Sequence, residues 1–307
     1  MAPITRADIA ALIEEEYSNT LLNSATASST VLSAFTTVPM GAKVQNMPAL
    51  ATRPTASFVG ETAETRKKPS TKFSFENKRL EAQEIAAIIV LNEEDLEDAT
   101  DDLLEKAALL GGEAVGRTLD GAVLFGNGKP AAWTSPDLFA AATAAGQVYQ
   151  IGTGEDDLVG SIFQAAEAVD DSGANPDAFL SRGGFKFKLA NLRNTDGTPI
   201  YLPSLSSAAG SVDNVAGLDA YWNKNGAWDR AKALGLVADT SSVLIGVRSD
   251  ISVKFLTEAT IDGVNLAEND QVALRFRARY AYTLADVVGT ENERISPVSA
   301  ITAGVTP

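Results

Sequence analysis

Carboxylates are the most abundant reactive groups of this 307-residue chain: 40 Asp and Glu stand against 25 Lys and Arg, with no His and no Cys, for a formal charge of -15. The chemistry on offer is therefore carboxylate acid/base work. Without His the chain lacks the side chain that titrates near neutrality and the commonest metal ligand, so neither a Ser-His-acid nor a Cys-His arrangement can be built. Without Cys there are no disulfides, thiolate metal sites or thiol nucleophiles. The closely spaced acids are Glu14, Glu15 and Glu16; Glu93, Glu94 and Asp95; Asp101 and Asp102; and Asp156 and Asp157. Each group falls at a helix start or on a polar helix face, where negative charge complements the helix dipole. With no Gly-rich phosphate loop beside them, a hydrolase or lyase is the weakest reading, and no catalytic, cofactor or metal residue is nominated.

The cations are fewer and more localised. An acidic chain is a poor sequence-independent nucleic-acid binder, because such binding needs a Lys/Arg face to release counterions from phosphates. Two places concentrate charge. ETAETRKKPS carries Glu61, Glu64, Arg66, Lys67 and Lys68 ahead of Lys72, with no apolar anchor, and reads as a solvated loop tip. Farther on, Arg275, Arg277 and Arg279 alternate with Leu274, Phe276, Ala278 and Tyr280, which puts three guanidinium groups on one face of a strand. That face reads as solvated or charge-paired rather than as an anion site. These nine residues are the candidate subunit contacts.

The elements that carry them follow from periodicity. Thr5 can cap a first helix with Ile9, Leu12 and Ile13 opposite Glu14 to Glu16; the Ser/Thr/Ala tract from Asn23 to Thr30 breaks it, and VLSAFTTVPM reads as a strand. From Lys72 the residues alternate with Phe73 and Phe75 on one face. The run then turns apolar on both faces through Ile85, Ile88, Ile89, Val90 and Leu91, which predicts one strand passing from a solvated arm into a buried sheet. Asn92 is a good N-cap for a long helix that reaches Phe125, on the order of 50 Å if continuous or broken near Thr100 into two collinear pieces. Gly111, Gly112 and Gly116 in that helix predict a close backbone crossing. A middle α/β region follows: a helix opened by Asp157 with Leu158, Ile162, Ala165, Ala166 and Val169 inward, a strand in ANPDAFLSR, a helix in FKFKLANLRN, an edge strand after DGTPIY, and loops from Ser204 to Trp228. Strands SSVLIGV, DISVKFLT and QVALRFRARYAYTLADV close the chain. No apolar run reaches the length of a membrane span, and Met1 to Tyr17 carries acids where a signal peptide needs a basic and then an apolar stretch.

Taken in order, these elements resemble the major capsid proteins of tailed bacteriophages, with the Hong Kong 97-like coat-protein fold. The resemblance rests on SFVGETAETRKKPSTKFSFENKRLEAQEIAAIIVLNEEDLED, on LDGAVLFGNGKP and on RFRARYAYTLADV, and it covers nearly the whole chain. It implies an α+β chain with an N-terminal arm at Met1–Met47 and an extended β-hairpin loop at Pro48–Ala86. A peripheral domain with a spine helix would follow at Ala87–Gln150, an axial domain at Ile151–Leu244, and peripheral C-terminal strands at Ile245–Pro307. It implies a virion protein, made in the bacterial host cytoplasm, that builds pentamers and hexamers of an icosahedral shell around double-stranded DNA. A separate scaffolding protein, a portal and a decoration protein would be partners; membrane and cofactor would not. Some members join the loop to a neighbour through a Lys-Asn isopeptide bond; Lys67, Lys68 or Lys72 with Asn292 lie in the right region, but nothing in the sequence marks them and the lysines read first as plain surface residues. An encapsulin, a bacterial shell of similar fold around protein cargo, is the alternative.

Overall fold

The computed structural model describes residues 23–52, 54, 56, 58, 71–94, 103–151, 157–192, 213–248, 252–261, 263–285, 287–288 and 294–303. The helix expected after Thr5, the acidic start of the long helix at 95–102 and the edge strand after DGTPIY lie outside them.

Two sheets meet across one apolar core. The first is organised on β14 (Gln271–Leu284), whose 14 residues span about 48 Å. Along one edge β14 pairs antiparallel with β4 (Gln83–Asn92); it also pairs antiparallel with β11 (Ser252–Leu256) and β10 (Val243–Arg248), and β1 (Thr36–Met40) adds in parallel to β10. The second sheet is mixed. It runs β5 (Val148–Gln150), β17 (Val298–Thr302), β9 (Gly235–Ala238), β6 (Ala178–Arg182), β8 (Leu218–Asn223), β7 (Asp213–Val215). Leu180, Leu236 and Ala238 of the second sheet share a cluster with Val243, Ile245, Tyr280 and Tyr282 of the first.

The long helix α2 (Leu103–Phe125) lies between them, about 35 Å long. Its Ala107 and Ala108 pack on Leu274 and Phe276, while Val115, Leu119, Val123 and Leu124 enter the main cluster. The helix stops where Gly126 and Gly128 take φ of 71° and 69°. There the Lys232 ammonium donates to the Phe125 carbonyl at 2.9 Å, a cation set against the negative end of the dipole. Two glycines of α2 admit neighbours as expected. A Cβ on Gly111 would stand 2.9 Å from the Phe276 ring, and one on Gly116 would stand 2.6 Å from the Ser28 hydroxyl and 3.0 Å from the Ala25 carbonyl.

That crossing corrects the reading of the N-terminal tract. Residues 23–28 are helical, and VLSA belongs to a short helix, α1 (Thr30–Ala34), capped by Ser29, whose hydroxyl accepts from the Leu32 N–H at 3.1 Å. The strand begins only at Thr36. Local Ser/Thr/Ala content is neutral about helix; burial of Ala25, Val31 and Leu32 against α2 decides it.

Three further expectations change. The apolar run in β4 is covered on one face only: Ala87, Ile89 and Leu91 pack toward α2, whereas Ile88 and Val90 remain 47% and 40% exposed. The stretch from Ser204 to Trp228 holds β7 and β8, joined by a two-residue turn in which Ala216 and Gly217 both have positive φ. Finally, Val298–Thr302 does not stay with the other C-terminal strands; it completes the middle sheet between β5 and β9. The helix α4 (Asp157–Asp171) buries Leu158, Ile162, Ala165 and Val169 as its period demands, and it follows a shorter helix, α3 (Leu138–Ala144), whose Asp137 cap accepts from the Ala140 N–H at 3.1 Å. A short helix, α5, covers Phe185–Ala190.

Candidate functional site: the arm and the arginine face

Strands β2 (Val44–Thr52) and β3 (Ser74–Glu81) form a hairpin that pairs with no other strand among the described residues. Pairing runs from Val44 opposite Glu81 to Leu50 opposite Phe75, with an irregularity before Thr52 and Ser74. Alternation therefore places Val44, Asn46, Pro48 and Leu50 with Phe75, Asn77 and Arg79 on one face, all exposed. Phe73 and Phe75 meet edge to face at 5.8 Å yet stay 64% and 62% exposed. Two phenyl rings stacked in water are an apolar surface without a cover.

The root of the hairpin is fixed. Expected as one strand, β3 and β4 are separated at Ala82, which is buried with Met40, Leu80 and Ala281 and donates its N–H to the Lys43 carbonyl at 2.8 Å. The indole of Trp133 donates to the Glu81 carbonyl at 3.0 Å, and Glu81 pairs with Arg79 at 2.6 Å. A rigid base under an exposed blade lets the blade present its face at a set angle.

The sheet face away from α2 carries the arginines. Direct opposition sets three rows: Ile88, Arg275 and Lys254; Ala86, Arg277 and Ser252; Glu84 and Arg279. Only the last row is an ion pair, at 3.3 Å. Among the described residues Lys254, Arg275 and Arg277 have no acidic partner, and the Arg277 Nε is buried with no acceptor. The face is thus charge-paired at one end and open along the rest. Of the other nominated contacts, Lys72 is exposed just ahead of β3, whereas Glu61, Glu64, Arg66, Lys67 and Lys68, together with Asn292, lie outside the described residues.

Sequence reasoning passed over Asp120. Its carboxylate is fully buried and accepts five hydrogen bonds: from the Ser29 hydroxyl at 2.6 Å and the Val31 N–H at 3.1 Å on one oxygen, and from the Thr30 N–H, Asn223 and Asn225 at 2.8–2.9 Å on the other. Burial pushes the carboxyl above the ordinary carboxylate range, and the donors pull it back. The signal was present: an acid between Leu119 and Ala122, on the buried stripe of the helix. Asp120 ties the N-terminal segment to both the helix and the second sheet. No group of His, Cys, Asp and Glu able to hold a metal occurs among the described residues.

A family model described as the phage capsid family matches residues 10–289. Among solved structures, one from Mycobacterium phage Adephagia is 43% identical over 100% of both chains with a TM-score of 0.81. Another, from Mycobacterium phage Bobi, is 44% identical over 99% of this chain and 100% of that one, also at 0.81. Microbacterium phage Oxtober96 follows at 36% identity, 99% and 100% coverage and 0.78. No curated protein matched.

Proposed function

The chain belongs to the phage capsid family, and from that premise we propose how its parts divide the work of a shell. It is a major capsid protein with the Hong Kong 97-like fold, a structural virion component and not an enzyme, and it assembles into a multi-subunit shell. The encapsulin alternative gains no support from these relatives. In the proposal the shell is the icosahedral head of a tailed phage, built from pentamers and hexamers in the host cytoplasm around double-stranded DNA. A separate scaffolding protein, a portal and a decoration protein act with it. The wall does not grip the genome, because the chain is strongly acidic.

Residues 48–86 act as the extended loop that overlaps the next subunit. The observation that carries this is the β2–β3 hairpin, on which Leu50, Phe73 and Phe75 stand exposed. Residues 1–47 act as the N-terminal arm, 87–150 with 245–307 as the peripheral domain, and 151–244 as the axial domain, to which β17 contributes its strand. The contact residues are Glu61, Glu64, Arg66, Lys67, Lys68 and Lys72 on the loop, with Arg275, Arg277 and Arg279 on the sheet. Electron microscopy of the purified protein tests the proposal. Wild type should form closed shells, and Arg66, Lys67 and Lys68 changed together to Glu should form few, from subunits that still fold. Unchanged shells would remove the tip from the mechanism.

A further inference from the structure

The arginine face holds more positive charge than its own chain answers. Lys254, Arg275 and Arg277 lie on adjacent strands of a protein whose net charge is -15, and Ile88 and Val90 stand exposed among them. Along β14 the guanidinium groups recur every ~7 Å. A surface of this kind is suited to a peptide that brings carboxylates and aliphatic side chains together; exposed Ile and Val add nothing to a phosphate contact, and Glu84 opposes one.

The sequence contains such a peptide. From Asp8 to Tyr17 it reads DIAALIEEEY, with four acids, no cation, and Ile9, Leu12 and Ile13 between them. The same chain is badly placed to supply it. Ser24 donates its hydroxyl to the Leu109 carbonyl at 2.8 Å, so the chain enters on the α2 side, and α2 lies across the sheet from the arginine face. From Glu16 to Asn23 an extended chain covers at most about 25 Å. The helix and sheet layers alone are about 20 Å deep, which leaves almost nothing for the path around the sheet edge. A second copy has no such limit.

We propose that residues 8–17 of one subunit dock on the face formed by Ile88, Val90, Lys254, Arg275 and Arg277 of a neighbouring copy. This rests on the shell reading and goes beyond the loop contact. Because the chain has no cysteine, the pairing can be trapped cleanly. Glu14→Cys, Glu15→Cys or Glu16→Cys is combined with Lys254→Cys in the full chain, shells are assembled and oxidised, and denaturing gels are run without reductant. At least one pair should give a ladder of multimers that reductant collapses. A fast-migrating monomer would place the segment on its own subunit, and closed shells with no cross-link in any pair would place it elsewhere; either overturns the proposal while leaving the shell intact. Charge exchange gives a second readout. Arg275→Glu with Arg277→Glu, and Glu14→Arg, Glu15→Arg and Glu16→Arg together, should each lower the shell yield about ten-fold, as charge reversal across a contact does. Combining the sets should restore it. No rescue, or binding of a short DNA duplex by wild-type subunits that the Arg275→Glu and Arg277→Glu pair abolishes, would overturn the assignment.

Discussion

Replacing Asp120 separates the worth of its geometry from that of its charge. In Asp120→Asn the amide can keep its oxygen toward Thr30, Asn223 and Asn225 and turn its nitrogen toward Ser29 and Val31. The Ser29 hydroxyl can then accept from the amide and turn its own proton away, which leaves the Val31 N–H as the one orphaned backbone donor, at about 1–3 kcal/mol. Losing a buried charge offsets part of that cost, so the expected net destabilisation is about 1 kcal/mol. In Asp120→Ala all five donors lose the carboxylate; Asn223 and Asn225 keep the Thr30 hydroxyl and the Ser28 carbonyl, which leaves the Ser29 hydroxyl and the Thr30 and Val31 N–H groups as orphans. Water can reach some of them, and the expected cost is about 4 kcal/mol. Urea unfolding of unassembled subunits, followed by tryptophan fluorescence, measures the difference. At a slope of about 3 kcal/mol/M the midpoint should fall by about 0.3 M for Asn and about 1.3 M for Ala. Equal midpoints for the two variants would refute the donor-counting argument. The pH dependence is a further check. Because burial raises this carboxyl, the folded state holds its proton at higher pH than the unfolded state does. The stabilisation from that proton is complete below the unfolded pKa and is lost as pH rises through the folded one. Wild type should therefore gain on Asp120→Asn as the pH is lowered from neutrality, and a constant gap would contradict the raised pKa.

Three other substitutions follow from the same geometry. Gly116→Ala drives a methyl toward the Ala25 carbonyl and should cost about 1–3 kcal/mol, seen as a lower urea midpoint and faster proteolysis near Ser28. Tyr280→Phe removes a buried hydroxyl without a partner and should be neutral or stabilising by about 1 kcal/mol. Burial pushes this phenol up to about 12, so its stabilising contribution is full below the unfolded pKa near 10 and is lost above it; wild type should lose stability relative to Tyr280→Phe between pH 10 and 12. Phe73→Ser with Phe75→Ser should leave subunit stability within about 0.5 kcal/mol, since both rings are exposed, while lowering shell yield in micrographs. A loss of subunit stability would mean the rings serve their own fold.

What the residues disclosed depended on the range of the forces involved. Periodicity revealed α4, β6 and β14 because each keeps an apolar face against one core, and the glycines of α2 announced a crossing because only a missing side chain permits one. The helix over VLSA was hidden: its burial comes from α2, far along the chain, and outweighs a local pattern that fits a strand equally well. The exposed half of β4 was hidden for the opposite reason, since an uncovered apolar face has the same composition as a covered one. The position of β17 is a matter of topology that no local signal encodes. At the site, the aromatic pair and the arginine alternation could be read directly, whereas Asp120 required knowing that Ser29 and Asn223 come to the same place.

The position of Val298–Thr302 bears on the order of synthesis. This strand hydrogen-bonds β5 on one side and β9 on the other, and it is what attaches β5 to its sheet. Until residues 298–302 have left the ribosome the middle sheet has a missing rung, and the space for Val298, Ala300 and Ile301 in the two main clusters stands unfilled. A prematurely terminated chain therefore cannot finish its fold.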